Sequence, residues 1–179
     1  MYKVPYDNIK FHVRDASLTQ FNLTGDHTLD YHLAVNITVR NSNKKIGTIQ
    51  YDTITSRTNC YGKGLGLVSL TPFTQGHKKT TLLRRVFQGK TSLKLQGSHL
   101  MDFTNDQRNG NYSIILKLDG LAKMKYPGGG ISTQWNYYVV CGLLRLPLLL
   151  ANSSTDQAIY ARLFITRRCK LSFYAPIYT

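Results

Sequence analysis

Glutamate is absent from this sequence: all nine acidic residues are aspartates, in a chain of 179 residues with 23 lysines and arginines. Glutamate favours helices, whereas the 12 tyrosines and the many threonines, valines and isoleucines favour strands. The composition therefore favours an all-β fold. With 42% hydrophobic and 11% aromatic residues the chain can bury a core, which excludes a disordered polymer, and its length suits one domain.

Long apolar runs are also missing. The most apolar stretch, residues 137–151, is broken by Arg145 and Pro147, whereas a membrane-spanning helix needs about 20 uninterrupted apolar residues. We interpret the stretch as a buried strand. Residues 1–20 are mixed and polar, so they do not resemble a secretory signal.

Catalytic and cofactor-binding signatures are missing as well. Gly89-Lys90-Thr91 resembles the end of a phosphate-binding loop, but Arg84 stands where that motif requires glycine. The five histidines are scattered, without a pair at metal-ligand spacing. Asp102 and Asp106 lie in a polar segment that we expect to be exposed, so they form no catalytic carboxylate pair. We predict a protein without catalytic site, metal or cofactor, and an unrecognised hydrolase is the enzymatic alternative.

Positive charge is what the sequence has in excess. Its net charge of +14 favours anionic partners, namely acidic polysaccharide, anionic lipid headgroups or nucleic acid. Nucleic acid is disfavoured because the basic residues follow no known reader motif, and solubility alone is the simplest alternative. No acidic residue lies between Asp52 and Asp102. We predict a basic binding surface at one end of the domain, formed by Lys44, Lys45, Lys63, His77, Lys78, Lys79, Arg84 and Arg85.

Apolar and polar residues alternate over residues 29–39, which predicts a half-buried strand. Residues 41–45, Asn-Ser-Asn-Lys-Lys, predict the first hairpin turn of the fold because asparagine tolerates positive φ, and alternation resumes over residues 46–51. Residues 98–107 form the one candidate helix, with Ser98 as its candidate cap. Short strands at such spacing predict an antiparallel sandwich or barrel. The further predicted strands are 9–15, 64–71, 81–87, 91–96, 112–119, 136–146, 159–165 and 169–174.

Four Asn-x-Ser/Thr sequons begin at Asn22, Asn36, Asn111 and Asn152. Asn36 falls on the polar face of its strand, and Asn111 lies at a turn with parity opposite to the apolar residues after it. Both side chains would point to solvent, where a glycan fits. The sequons therefore favour a secreted or lumenal glycoprotein.

Three cysteines form no Cys-x-x-Cys pair, so a zinc or thioredoxin-type site is disfavoured. Cys141 shares parity with Val139, and Cys169 shares parity with Leu171, so both face inward on late strands. A disulfide between them is feasible in an oxidising setting, and two buried free thiols are the alternative. Cys60 is left over.

Several segments occur in a recognisable order along the chain: Phe11-His12-Val13 with Asp15-Ala16-Ser17-Leu18, residues 39–47, Tyr51-Asp52, residues 71–78, Cys141, Leu146-Pro147-Leu148 and Arg168-Cys169. Together they resemble the plant harpin-induced-like proteins, also called the non-race-specific disease resistance-like family, which carry a late embryogenesis abundant group 2 domain. The resemblance covers nearly the whole chain. Its motif residues are Asn41, Asn43, Gly47, Tyr51, Asp52, Phe73, Gln75 and Gly76.

The resemblance implies a β-sandwich of immunoglobulin- or fibronectin III-like type without a catalytic site. It implies a flexible segment at 1–8, the sandwich domain at 9–174 and a tail at 175–179. Family members carry a transmembrane helix before this domain, which implies plasma-membrane localisation through an anchor outside this chain, with the domain facing the cell wall. Ser42 replaces the usual proline of the turn, and Lys79 replaces an asparagine, which adds charge.

We therefore predict a non-enzymatic extracellular domain of a membrane-anchored plant defence or stress-response protein. Its predicted partner is an acidic cell-wall polysaccharide, or a membrane or receptor protein, bound through the basic surface. The alternative is a sandwich that binds anionic lipid at a membrane surface. The sequence predicts no particular oligomeric state.

Overall fold

The computed structural model describes residues 8–44, 47–130, 134–149 and 154–174. Within them the chain forms ten strands and two helices. In chain order these are β1 (Ile9–Leu23), β2 (Thr28–Asn41), β3 (Thr48–Cys60), β4 (Lys63–Leu70), β5 (Phe73–Gln75), β6 (Thr80–Ser92), α1 (Gly97–Asn109), β7 (Asn111–Lys125), β8 (Trp135–Pro147), α2 (Ser154–Leu163), β9 (Arg167–Arg168) and β10 (Lys170–Tyr174).

Two antiparallel sheets enclose one apolar core. Sheet A has the strand order β6-β2-β1-β9, and sheet B has the order β10-β8-β7-β3-β4, with β5 paired to β3. The central order β6-β2-β1 against β4-β3-β7-β8 is that of a fibronectin type III-like sandwich. The predicted all-β sandwich is therefore confirmed. The predicted hairpin between β2 and β3 is wrong, because β2 belongs to sheet A and β3 to sheet B, so the connection crosses between the sheets.

Alternating side chains place one face of each sheet in the core. On β2 every second residue from Leu29 to Val39 is apolar and buried, as the alternation predicts. The register of β1 shifts between Val13 and Asp15 and again between Leu18 and Gln20. Each bulge keeps the next apolar residue inward, because a one-residue slip would otherwise turn the rest of the strand to the other face.

The prediction of a strand at 159–165 is wrong, because helix α2 occupies Ser154–Leu163. Its sequence STDQAIYARL begins with residues that favour helix starts and continues with alanine, arginine and leucine, which are good helix formers. The strands predicted at 81–87 and 91–96 are also revised. β6 is one strand through Ser92, because Gly89 stays in register with Tyr31 of β2.

The candidate helix at 98–107 is confirmed as α1, with one residue more at its start and two at its end. Ser98 is not its cap: Gln96 holds the N-cap position and makes no side-chain capping bond. Asp106 is buried rather than exposed, because it shares the inner face of α1 with Phe103, three residues earlier.

The sandwich has two ends that matter for function. The proximal end holds Asn8, the loop after β2, the turn between β5 and β6, and the end of β7, since Ile9 pairs with Asn41 and Thr48 pairs with Lys125. The distal end holds the turn between β3 and β4, the end of β6 and the start of α1. Residues 1–7 and 175–179, part of the predicted flexible termini, lie outside the described residues.

Candidate functional site

A hydrogen-bonded cluster formed by the buried residues Asn41 and Asn43 connects the loops of the proximal end. Oδ1 of Asn41 accepts hydrogen bonds from the backbone N–H of Asn43, at 3.1 Å, and from its Nδ2, at 2.8 Å. Nδ2 of Asn41 donates to the carbonyl of Gly76 at 3.3 Å, and its backbone N–H donates to the carbonyl of Lys79 at 3.0 Å. The loop after β2 and the β5–β6 turn therefore lie side by side.

Asn8, the residue before β1, is hydrogen-bonded to the same cluster. Nδ2 of Asn8 donates to Oδ1 of Asn43 at 2.9 Å, and the carbonyl of Asn8 accepts from the backbone N–H of Ser42 at 2.9 Å. Nearby, the buried side chain of Gln75 donates to the carbonyl of Val39 at 2.7 Å. Buried polar groups persist only when they are bonded, so these contacts specify one arrangement of the loops.

The remaining motif residues lie on β3 and β5 or directly before β3, next to these loops. Tyr51 stacks on Phe73 with ring centroids 4.6 Å apart, and Asp52 forms an ion pair with Lys123 at 3.1 Å. At Gly47, a Cβ would lie 2.2 Å from the carbonyl oxygen of Lys125, so only glycine allows this approach. The motif residues thus build the proximal end structurally.

The loops of the proximal end carry exposed basic residues. Lys44, His77, Lys78 and Lys79 are exposed on the two joined loops. Lys125 is exposed beside Gly47, and the next residue, Tyr126, is 44% exposed. We call this set, Lys44, His77, Lys78, Lys79, Lys125 and Tyr126, the basic end; the predicted Lys45 lies outside the described residues.

Three residues of the predicted basic surface lie elsewhere. Lys63 begins β4 at the distal end, and Arg84 is exposed on the outer face in the middle of β6. Arg85 shares the face of β6 that carries the buried Leu83 and Phe87, and its Nε is buried without a hydrogen-bond partner among the described residues. Burial also lowers the pKa of its guanidinium. Neighbouring residues of a strand face opposite sides, so these two arginines cannot share one surface.

The predicted disulfide is formed between Cys141 of β8 and Cys169, which lies between β9 and β10. Next to this disulfide, Val139 of β8 pairs with Leu171 of β10, so the strand pairing holds the two cysteines close together. Cys60 is a buried free thiol. Burial raises the pKa of this thiol to about 12, so it is held neutral and unreactive.

The sequons occupy different settings. Asn22 is exposed near the end of β1, and Asn36 lies on the outer face of β2, where its Nδ2 donates to Oδ1 of Asp15 at 2.8 Å. Asn111 is half-buried at the start of β7. Asn152 lies outside the described residues, and glycosylation at all four stays a prediction.

The outer face of sheet B carries a groove that the sequence did not reveal. It has a volume of about 650 Å³ and is lined by Tyr138, Tyr174, Asn136, Asp119 and Thr55, among others. Beside it, register pairs place three cations in one row across the sheet. Lys170 pairs with Val140, Val140 with Lys117, and Lys117 with Arg57. Arg57 is partly neutralised by Asp119, 3.2 Å away.

A buried carboxylate ties α1 to sheet B at the distal end. Asp106 accepts hydrogen bonds from the hydroxyls of Tyr61, at 2.9 Å, and Ser113, at 2.7 Å. It also pairs with Arg145 at 3.0 Å. Its spacing from Phe103 was the available signal, because residues three apart share a helix face. With all its partners in place, this carboxylate has a structural role.

Two further features bear on chemistry. The described residues contain no group of three or more histidine, cysteine or aspartate side chains that could hold a metal ion. Neither α1 nor α2, as far as the described residues go, has the length and apolarity needed to cross a bilayer.

Fold and site together define a β-sandwich module in which the predicted motif residues build a cation-bearing end. NDR1/HIN1-like protein 10 of Arabidopsis thaliana is 38% identical over 152 residues, covering 84% of this chain and 66% of that protein. NDR1/HIN1-like protein 3 of the same plant is 32% identical over 168 residues, covering 92% of this chain and 68% of that protein. The chain therefore belongs to the NDR1/HIN1-like family of plant defence and stress-response proteins.

A further relative, NDR1/HIN1-like protein 2 of Arabidopsis thaliana, is 31% identical over 149 residues. The chain spans between 60% and 68% of the length of these three relatives. No protein-family model matches the chain, so the late embryogenesis abundant group 2 assignment stays a prediction. A crystal structure of a protein from Archaeoglobus fulgidus is 13% identical with a TM-score of 0.34, over 76% of this chain and 99% of that one, and supports no further argument.

Proposed function

We propose that this protein is a non-enzymatic defence or stress-response module that contacts an anionic membrane surface through its basic end. The carrying observation is that Asn8 is hydrogen-bonded to Ser42 and Asn43 within this end. The family resemblance implies a membrane anchor before the domain. An anchor upstream of Asn8 would hold the basic end, with Lys44, Lys78 and Lys79, on the side of the domain nearest the bilayer.

The composition of the basic end supports a lipid surface. Exposed aromatic side chains beside basic loops strengthen binding to anionic lipid, and Tyr126 supplies an aromatic ring next to Lys125. Tyrosine favours the headgroup region because its ring is apolar and its hydroxyl is polar. Each lysine near an anionic surface contributes about 1 kcal/mol.

Co-sedimentation with phosphatidylserine-containing vesicles tests the proposal. We expect the wild-type domain to bind at physiological salt. The Lys44→Ala/Lys78→Ala/Lys79→Ala variant should lose about 3 kcal/mol, roughly a hundredfold in affinity. Tyr126→Ala should weaken binding further, since it removes the ring from the interface.

A charge-matched variant, Arg84→Ala/Lys90→Ala/Arg108→Ala, removes three exposed cations away from the basic end. It should bind vesicles like the wild type if location matters rather than net charge. Equal losses in both triple variants would show unspecific attraction and contradict the proposal. If the wild-type domain did not bind the phosphatidylserine-containing vesicles, the proposal would also be contradicted, and a protein partner would be the next candidate.

An acidic cell-wall polysaccharide is the second candidate, and the observation that favours it is the cation row on sheet B. Lys170 and Lys117 lie two strands apart, about 10 Å, beside a groove with two exposed or half-buried tyrosines. Tyrosine rings can stack on sugar rings while the cations pair with carboxylates. The test is co-sedimentation with de-esterified pectin, in which Lys117→Ala/Lys170→Ala should lose binding and the basic-end variant should retain it.

A further inference from the structure

A cavity at the distal end has the charge of an anion site and lies opposite the basic end. It is formed where the β3–β4 turn, the residues after β6 and the first turn of α1 meet, and its volume is about 340 Å³. Its lining residues are Tyr61, Lys63, Lys94, Leu95, Gln96 and His99. None of these six is acidic, and four of them, Lys63, Lys94, Gln96 and His99, carry nitrogen groups able to donate to an anion.

The walls of the cavity are fixed by the fold. Tyr61 is buried, and its hydroxyl is bonded to Asp106 at 2.9 Å, so its ring is held in place. The imidazole of His99 lies over Gly62, where a Cβ would come within 2.6 Å of Nε2. Gly62 has φ of +75°, a backbone conformation that other residues adopt with strain. The turn glycine therefore leaves room for His99 at the mouth of the cavity.

The start of α1 adds to the positive potential that Lys63 and Lys94 create. Gln96 at the N-cap makes no capping bond with its side chain, and the first turn of α1 contains no acidic residue. Gln96 and His99 line the cavity, so the partially positive helix end opens onto it. Backbone N–H groups at such a position bind phosphate in many proteins.

We propose that this cavity binds a phosphate monoester carried on a polyol ring, such as a sugar or inositol phosphate. The phosphate dianion would lie between Lys63 and Lys94 at the start of α1, and the ring would lie against Tyr61 and Leu95. The cavity is larger than a bare phosphate requires and falls within the size range of small-ligand pockets, about 300–1,000 Å³. This site is separate from the basic end, so either proposal can fail without the other.

Isothermal titration with myo-inositol 1-phosphate, inorganic phosphate and neutral myo-inositol tests the site. We expect the inositol phosphate to bind saturably and more tightly than inorganic phosphate, and the neutral polyol not to bind. Lys63→Gln/Lys94→Gln should weaken binding at least tenfold. Lys44→Gln/Lys78→Gln, which removes the same charge at the basic end, should leave it unchanged.

Two controls keep the result clear. Circular dichroism should show both double variants folded, because all four lysines are exposed. Vesicles with and without a phosphatidylinositol phosphate distinguish a lipid headgroup from a soluble ligand as the source of the phosphate. Absent or unsaturable binding of myo-inositol 1-phosphate, or equal loss in the two double variants, would overturn the proposal.

Discussion

The side chain of Asn41 makes three of the hydrogen bonds that connect the loops of the proximal end. Asn41→Ala removes its side-chain bonds to Asn43 and Gly76 and leaves buried donors without their acceptor. We expect the free energy of unfolding, measured with urea, to fall by about 2–3 kcal/mol. Asn59→Ala, a half-buried position on the outer face of β3, is the control and should change it by less than about 1 kcal/mol. An effect at Asn41 no larger than the control would contradict the structural role.

The three cysteines should differ sharply in reactivity. Cys141 and Cys169 are bonded to each other, and the raised pKa of the buried Cys60 keeps its thiol protonated. We expect iodoacetamide to add nothing to the native protein, one label after unfolding without reductant, and three labels after reduction. Mass analysis measures this, and labelling of Cys141 or Cys169 before reduction would disprove the bond.

Single positions show where sequence reasoning succeeded. Strand parity correctly turned Cys141 inward and Asn36 outward, because a period of two decides the face once the strand is identified. The same rule forbids Arg84 and Arg85 from sharing a surface, yet charge alone grouped them. Asp106 was misjudged because polarity was read without the helix period that buries it.

The start of helix α1 offers a prediction at the scale of an element. Gln96→Asp supplies a capping carboxylate at a helix end that has none, so it should raise the free energy of unfolding by about 1 kcal/mol. The same carboxylate should abolish phosphate binding in the distal cavity, since it puts a negative charge on the cavity wall. Urea unfolding and titration with myo-inositol 1-phosphate measure the two effects.

Gln96→Ser separates the two causes. Serine caps the helix without adding charge, so it should stabilise the protein while reducing phosphate affinity less than aspartate does. If aspartate at this position left phosphate affinity unchanged, α1 would have no part in the distal site.

Elements were predictable to the extent that their signals are local. The long alternation of β2 located that strand correctly, whereas α2 was mistaken for a strand because apolar spacing in a short segment fits both periods. The strands predicted separately at 81–87 and 91–96 form one strand, because pairing with β2 continues through the residues between them. The groove on sheet B could not be predicted, because it depends on which strands become neighbours.

At the scale of the whole molecule, topology separates charge that the sequence presents as one block. The acid-free interval 53–101 runs to the distal end along β3, returns to the proximal end by β5 and reaches the distal end again along β6, so its cations divide between both ends and the middles of β3 and β6. Lys78 and Lys63 therefore belong to different surfaces. A net charge of +14 acts on ligands through these separate groups, within a Debye length of about 8 Å at physiological salt.

The buried tyrosines make the stability of the whole sandwich sensitive to alkali. Burial raises the pKa of Tyr51, Tyr61 and Tyr137 above the ordinary value of 10.0. The folded protein therefore keeps these protons where the unfolded chain has lost them. Stability is then complete below the ordinary value and falls as the pH rises above it.

We expect the free energy of unfolding to fall by about 1.4 kcal/mol per pH unit for each such tyrosine, or roughly 4 kcal/mol per unit for the three. Urea unfolding at a series of alkaline pH values gives the slope, and tyrosinate absorbance shows whether ionisation accompanies unfolding. Tyr137→Phe should reduce the slope by about 1.4 kcal/mol per pH unit, although it also removes the bond to the carbonyl of Thr53. Tyrosinate forming in protein that is still folded, or a slope unaltered by Tyr137→Phe, would mean that burial does not hold these protons.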